Sequence, residues 1–212
     1  MRAAKAATAS ATHSERERSK SRRRNAVRVK IISMGDAGVG KSCIIKRYCE
    51  EKFVSKYIGT IGVDYGVKAI QVGDTEARVN LWDLAGSPDY VEVRNEFYKD
   101  AQGCILVYDT TDRASFEALG SWVEESVRYG ARDPVVVVAG NKTDVNRRVV
   151  SENEGRAWAS TNGFLFFEVS AASGSQIRAM FTSLFARVLA SVPGIPEGVA
   201  SAAAALDSRG RV

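Results

Sequence analysis

The chain has 212 residues, 45% apolar and 26% charged, which suits one ordinary globular domain with tails. No apolar run approaches the roughly 18 residues of a membrane span, and the Ala-, Ser- and Arg-rich start lacks the apolar stretch of a secretory leader. The net charge of +5 is unevenly placed. Residues 1–26 hold eight of the 30 basic and two of the 25 acidic residues, a local +6, leaving 22 basic and 23 acidic residues beyond them, a near-neutral −1. A basic domain surface for nucleic acid is therefore not supported.

In chain order, residues 1–26 show no apolar periodicity and are expected to form a disordered basic arm. "VRVKIISM" (27–34) is β-rich and runs into a Gly-containing loop, and "SCIIKRYCEE" (42–51) follows at helical spacing. Residues 63–72 and 75–83 are expected to be strands joined by a Gly73-Asp74 turn. "CILVYD" (104–109) and "VVVVAG" (135–140) are short continuous apolar runs, the pattern of parallel strands buried on both faces. Phe116, Leu119, Val123 and Val127 predict one apolar helix face within residues 113–129. Ser151-Glu152-Asn153-Glu154 is a capping box opening a helix to about 161, and "FLFFEV" (164–169) reads as a strand. Ile177, Met180, Phe181, Leu184, Phe185, Val188 and Leu189 give a final helix to about 190, stopped by Pro193 and Pro196. The alternation predicts an α/β fold: a six-stranded, mostly parallel sheet with one antiparallel edge strand and helices on both faces. The expected organisation is a basic arm over 1–26, a domain over 27–191 and a flexible tail over 192–212.

Gly35-Asp36-Ala37-Gly38-Val39-Gly40-Lys41-Ser42 fits G-x-x-x-x-G-K-[ST] between a predicted strand and a predicted helix. Glycines let backbone N–H groups turn toward phosphate oxygens, and the helix N-terminus adds partial positive charge. Lys41 is placed to reach the β- and γ-phosphates, and the Ser42 hydroxyl to bind Mg²⁺. Cys43 follows directly. The motif alone does not choose between ATP and GTP. Asn141-Lys142-Thr143-Asp144, after a buried strand, supplies the choice. The Asp144 carboxylate only accepts hydrogen bonds. Guanine offers it two adjacent donors, N1–H and the 2-amino group, whereas adenine would leave it unpaired. Discrimination of this kind reaches about 10⁴-fold or more.

These motifs, with Thr60, "DLAG" (83–86) and "SAA" (170–172), are similar in kind and order to the five motifs of the Ras superfamily of small GTPases, across roughly residues 27–190. "TIGVDYG", "LWD" and "LVYDTTD" resemble the Rab branch. "KFVSKY", "VRNEFYKDAQG" and "EGRAWA" resemble the Rab-like group related to J-domain-bearing GTPases, and the chain as written is too short to add a J domain. The resemblance implies a P-loop GTPase that binds GTP or GDP with Mg²⁺. It implies that Ser42, Thr60 and Asp83 hold the metal, with Asp83 acting through water, and that Thr60 senses the γ-phosphate. It implies a γ-phosphate contact from the Gly86 N–H and a guanine site of Asn141, Lys142, Asp144, Ser170, Ala171 and Ala172. Phe53 would pack near the base, with plain core packing as the alternative. Lys41, Thr60 and Ser87 are the candidate catalytic positions.

Ser87 is the departure. The family usually has Gln there, to orient the attacking water. Ser is too short for that, and Pro88 removes a backbone donor and restrains its predecessor. Because hydrolysis by a Ras-like protein that keeps its Gln is already about 10⁻⁴ s⁻¹, weaker hydrolysis is expected. A side chain supplied in trans is the alternative. Ala37 lies in the P-loop region where the family is sensitive to bulk, though many Rab-type loops carry a small residue there.

Tyr65, Trp82 and Phe97 align with effector-facing aromatics of Rab-like proteins, and packing is the equal alternative. Effectors, with exchange or activating factors, are the expected partners of a monomer. The last cysteine is Cys104 and the start is Met1-Arg2, so the chain as written offers no prenylation or myristoylation site. The arm would give at most weak contact with anionic lipid or nucleic acid, and a cytoplasmic or nuclear location is expected. The three cysteines have no metal spacing and suggest reduced thiols. The single histidine, His13, lies in the arm, so no histidine chemistry is open to the domain. Three functional classes remain: a cycling regulatory GTPase, a GTP-bound scaffold that hardly hydrolyses, and a P-loop ATPase or nucleotide kinase. "NKTD" and "SAA" weigh against the third.

Overall fold

A computed structural model describes residues 27–56, 58–72 and 75–191. The expected arm, the Gly73-Asp74 turn and the expected C-terminal tail lie outside the described residues. Six strands form one sheet: β1 (Val27–Met34), β2 (Val63–Val72), β3 (Thr75–Leu84), β4 (Gly103–Asp109), β5 (Val135–Asn141) and β6 (Leu165–Glu168), in the order β2-β3-β1-β4-β5-β6. Strand β2 pairs antiparallel with β3, from Val63 opposite Leu84 to Val72 opposite Thr75. The other four pairings are parallel, which is the expected architecture.

The two faces of the sheet follow the two-residue alternation of its strands. Val29 and Ile31 of β1, Ile105 and Val107 of β4, and Val137 and Ala139 of β5 face one core layer. Helices α1 (Lys41–Glu50) and α6 (Ile177–Ser191) cover that layer. Ile32, Met34, Cys104, Leu106, Tyr108, Val136 and Val138 face the other. Helices α4 (Leu119–Arg128) and α5 (Glu152–Thr161) close it. All seven periodic apolar residues of α6 are buried. The capping box of α5 is present: Ser151 Oγ accepts from the Glu154 N–H, and the Glu154 carboxylate accepts from the Ser151 N–H.

Two sequence expectations need correction. The helix expected over 113–129 is two helices, α3 (Arg113–Glu117) and α4, divided at Ala118. Asp112 caps α3 by accepting from Ala114 N at 3.1 Å. Val127 is not on the buried face but 63% exposed, because the inner stripe of α4 runs through Leu119, Trp122 and Ser126. The segment after Gly86, given no element from sequence, winds into a 3₁₀ turn (Pro88–Tyr90), the short helix α2 (Val91–Arg94) and a second 3₁₀ turn (Asn95–Phe97). Parallel strands place their C-terminal ends along one edge of the sheet, and the loops leaving β1, β3, β5 and β6 meet there.

Candidate functional site

The loop from β1 to α1 needs glycine at Gly35, where a side-chain β-carbon would lie 2.1 Å from the Val107 carbonyl oxygen. At Gly40, φ is 101° and a β-carbon would meet the Asn141 amide at 2.3 Å. Gly40 caps α1 without any side-chain bond, and no acid lies in the first turn. The first N–H groups and the positive end of the helix dipole are thus left to serve an anion. Lys41 is buried, and its ammonium donates to the carbonyls of Gly35 (2.7 Å) and Asp36 (2.9 Å), using two of three donors. Burial lowers its pKa to about 8, with Asp83 and Asp36 opposing.

A cavity of about 560 Å³ opens beside this loop, within the range of small-molecule sites. Ala37, Gly38, Gly40, Lys41, Ser42, Cys43, Phe53, Thr60, Gly86, Ser87, Asn141, Lys142, Asp144, Ala171 and Ala172 all border it, so five separate sequence segments converge. Four expected residues stand behind the wall instead. Val39 is buried in the core. Asp36 turns its carboxylate to Trp122, accepting from the indole Nε1–H at 2.7 Å, so only its backbone is left for a phosphate. Asp83 is buried next to Ser42, and Ser170 is buried beneath Asp144. Cys43 borders the cavity, and burial raises the pKa of its thiol. Phe53 is 42% exposed on the rim, under the Arg47 guanidinium (5.9 Å from the ring centroid), which removes the core-packing alternative.

Three oxygen-bearing side chains meet at one point. Ser42 Oγ donates to Asp83 Oδ2 at 2.5 Å and lies 2.9 Å from Thr60 Oγ1, which in turn donates to the same carboxylate oxygen at 3.3 Å. Ser33 Oγ holds the other oxygen, Oδ1, at 2.8 Å. Two hydroxyls and one carboxylate fit Mg²⁺, which is commonly held by one or two carboxylates together with substrate phosphates. Among the described residues there is no cluster of three His, Cys, Asp or Glu side chains for a softer or fully protein-bound metal.

The far wall is built around Asn141. Its Nδ2 donates to the Val39 carbonyl at 2.8 Å, and its Oδ1 accepts from the Ala171 N–H at 3.1 Å. One side chain therefore ties the phosphate loop to the "SAA" loop. Lys142 (φ 67°) pairs with Asp109, Nζ to Oδ2 at 2.6 Å. Ser170 Oγ donates to Asp144 Oδ1 at 2.5 Å, orienting a carboxylate that faces the cavity.

Sequence reasoning missed several supports. Arg47 donates to the Ala171 and Ala172 carbonyls at 2.8 and 2.5 Å. Buried Arg94 and half-buried Glu125 form an ion pair. Ser33 and Asp109 were legible in principle as polar residues in otherwise apolar strands. Ser87 borders the cavity, but its hydroxyl is committed elsewhere: it donates to Asp89 Oδ2 at 2.9 Å and accepts from Asp89 N at 3.4 Å, capping the 3₁₀ turn.

The fold and this constellation define a P-loop, GTP-binding protein of the small GTPase class. The family model described as "Ras family" matches residues 30–190. The chain is 54% identical over 171 residues to "DnaJ homolog subfamily C member 27" of Danio rerio, covering 78% of this chain and 63% of that relative. It is 53% identical over 170 residues to the protein of that name from Mus musculus and 51% identical over 170 to the one from Homo sapiens, covering 77% of this chain and 62% of each relative. The chain thus spans somewhat less than two thirds of the length of these relatives. The chain belongs to the Ras family, and the Rab-like character expected from "TIGVDYG" and "LWD" agrees with these relatives.

Proposed function

We propose that the chain is a guanine-nucleotide switch of slow intrinsic hydrolysis, acting on protein effectors. Residues 27–191 would form the switch domain. The Asp144 carboxylate would select guanine by accepting from its two adjacent donors, with the base flanked by Phe53 and the Lys142 stem. The N-terminus of α1 and Lys41 would neutralise the phosphates. Ser42, Thr60 and Asp83 would hold Mg²⁺, which supplies charge neutralisation of the β- and γ-phosphates when bound. The Gly86 N–H would meet the γ-phosphate. Hydrolysis, GTP and water giving GDP and phosphate, requires a group that orients the water in line with the leaving oxygen.

The observation that carries the slow rate is the commitment of Ser87. Its hydroxyl is turned onto Asp89 and its carbonyl is held by Arg94 at 2.7 Å. Nothing long enough to orient a water extends from position 87. Single-turnover release of γ-phosphate, compared with a Gln-bearing Ras-family protein under the same conditions, tests this. A rate at least tenfold slower is expected, and an equal rate would overturn it. A rate indistinguishable from zero would favour the second reading, a GTP-bound scaffold.

For partners, the support is a continuous aromatic strip. The ring centroids of Tyr65 and Trp82 are 4.5 Å apart, and those of Trp82 and Phe97 4.9 Å. Tyr65 is 49% exposed, and Ile61 at the end of the Thr60 loop is 81% exposed. The strip bridges the two loops that would sense the γ-phosphate, so an effector bound there would read both.

A further inference from the structure

Arg94 closes α2 and is almost fully buried, at 3% exposure. Its guanidinium engages four acceptors. Nε donates to Glu125 Oε1 at 2.6 Å, and the terminal Nη2 to Glu125 Oε2 at 2.7 Å, a two-point pair that fits the planar fork. The other terminal nitrogen donates to the carbonyls of Ala85 (3.2 Å) and Ser87 (2.7 Å). Its central carbon lies over the Trp122 ring, 4.4 Å from the centroid. Trp122 in turn donates to Asp36 in the phosphate loop, and Tyr98 donates to Glu125 at 2.5 Å. Burial works against the Arg94 charge, and Glu125 and Tyr98 more than offset it.

The two carbonyls held by Arg94 flank Gly86. A peptide unit is planar and trans, so its C=O and N–H point in opposite directions, and no cis peptide occurs among the described residues. With the Ala85 carbonyl drawn toward Arg94 and α4, the Gly86 N–H of the same peptide must face the other way. Gly86 itself borders the cavity and packs so closely on the phosphate loop that a β-carbon would fall 2.4 Å from Ala37 N. Without the guanidinium, the Ala85 carbonyl loses the side-chain partner that holds it on that side.

We propose that Arg94, held by Glu125, is a positioning residue that sets the orientation of the Ala85–Gly86 peptide and thereby the preference of the site for a nucleoside triphosphate over a diphosphate. This rests on the guanine-nucleotide reading above. Only the triphosphate carries the group that the Gly86 N–H would meet, so loss of the clamp should weaken triphosphate binding selectively. A purely structural role would weaken both nucleotides together.

The test is equilibrium binding of fluorescent GDP and of a fluorescent, non-hydrolysable GTP analogue, each with Mg²⁺, to the wild-type chain and to Arg94→Ala, Arg94→Lys and Glu125→Gln. Arg94→Lys keeps the charge but not the fork, and Glu125→Gln keeps the shape but not the ion pair, so both guard against a failure of Arg94→Ala to fold. GDP binding by the wild type tests the nucleotide reading separately. The expected result is a loss of about tenfold or more in affinity for the analogue, with GDP affinity within about twofold of wild type, in the Lys variant and in the Ala variant. Glu125→Gln should shift the ratio in the same direction by a smaller factor. Equal loss for both nucleotides, or no change in their ratio, would overturn the proposal.

Discussion

Ser42 and Asp83, 41 residues apart in sequence, are joined by a 2.5 Å hydrogen bond from the hydroxyl to the carboxylate at the mouth of the phosphate loop. The contact brings the start of α1 and the end of β3 to one point, with Thr60 beside them. If this point holds Mg²⁺, then nucleotide retention depends on it. Chelation of Mg²⁺ should speed GDP release from the wild type by about tenfold or more. Ser42→Ala and Asp83→Asn should release GDP quickly with or without Mg²⁺. Stopped-flow fluorescence of a labelled GDP measures both, and an unchanged Mg²⁺ response in the variants would disprove the assignment.

Base selection gives a sharper chemical test. The Asp144 carboxylate accepts from Ser170 through Oδ1, and Asp144 borders the cavity. Asp144→Asn exchanges one acceptor for a donor. Xanthine replaces the guanine 2-amino group with a carbonyl, so an amide suits it. The variant should lose GDP affinity by about 100-fold or more and gain affinity for xanthosine diphosphate. Competition binding with the two nucleotides reads the exchange directly.

Asn141 serves both loops of the site, donating to Val39 O and accepting from Ala171 N. Its removal in Asn141→Ala leaves two buried backbone groups without partners, at ~1–3 kcal/mol each. A loss of about 2 kcal/mol corresponds to a fall in Tm of roughly 4–8 °C for a domain of this size. Calorimetry of the GDP-loaded protein measures the fall, and GDP release should quicken in parallel.

The central strands β4 and β5 were legible as short apolar runs and the β2–β3 pair by its intervening turn signal, and the parallel order followed from strands separated by helices. The site motifs were legible because phosphate and guanine chemistry fix both residue type and spacing. Arg94 was not legible. Periodicity marks apolar residues as buried and says nothing of an arginine whose burial is sustained by Glu125, 31 residues away, across an ion pair. The direction of the Asp36 side chain was hidden for the same reason, since its partner Trp122 lies 86 residues on. The break at Ala118 and the exposure of Val127 show the limit of helical periodicity: a face spread over 113–129 cannot reveal a change of helix axis within it.

Position 87 answers to its neighbour. Ser87 sits in an extended conformation, φ −72° and ψ 139°, as expected before a proline. Ser87→Gln alone should therefore recover only part of the hydrolysis expected of the family, because Pro88 still limits how the loop can place the new amide. Ser87→Gln with Pro88→Glu should hydrolyse GTP faster than either single change. Single-turnover phosphate release compares the three, and equal rates in the single and double variants would show that Pro88 has no part in it.

The second core layer offers a test remote from the site. A β-carbon at Gly155 in α5 would lie 2.3 Å from the Tyr108 hydroxyl and 2.7 Å from the Phe166 ring. Gly155→Ala gains helix propensity of about 1 kcal/mol, but the overpacking costs ~1–3 kcal/mol. A net loss of stability is expected in thermal melts, with nucleotide specificity unchanged.

The cavity is proposed to take a guanine nucleotide. The most direct measurement is the nucleotide that remains with the freshly purified protein, released by denaturation and resolved by HPLC. The expected result is GDP or GTP in near-stoichiometric amount, with GTP a substantial share if hydrolysis is as slow as proposed. An adenine nucleotide in its place, or no nucleotide together with no binding of added GDP, would contradict it.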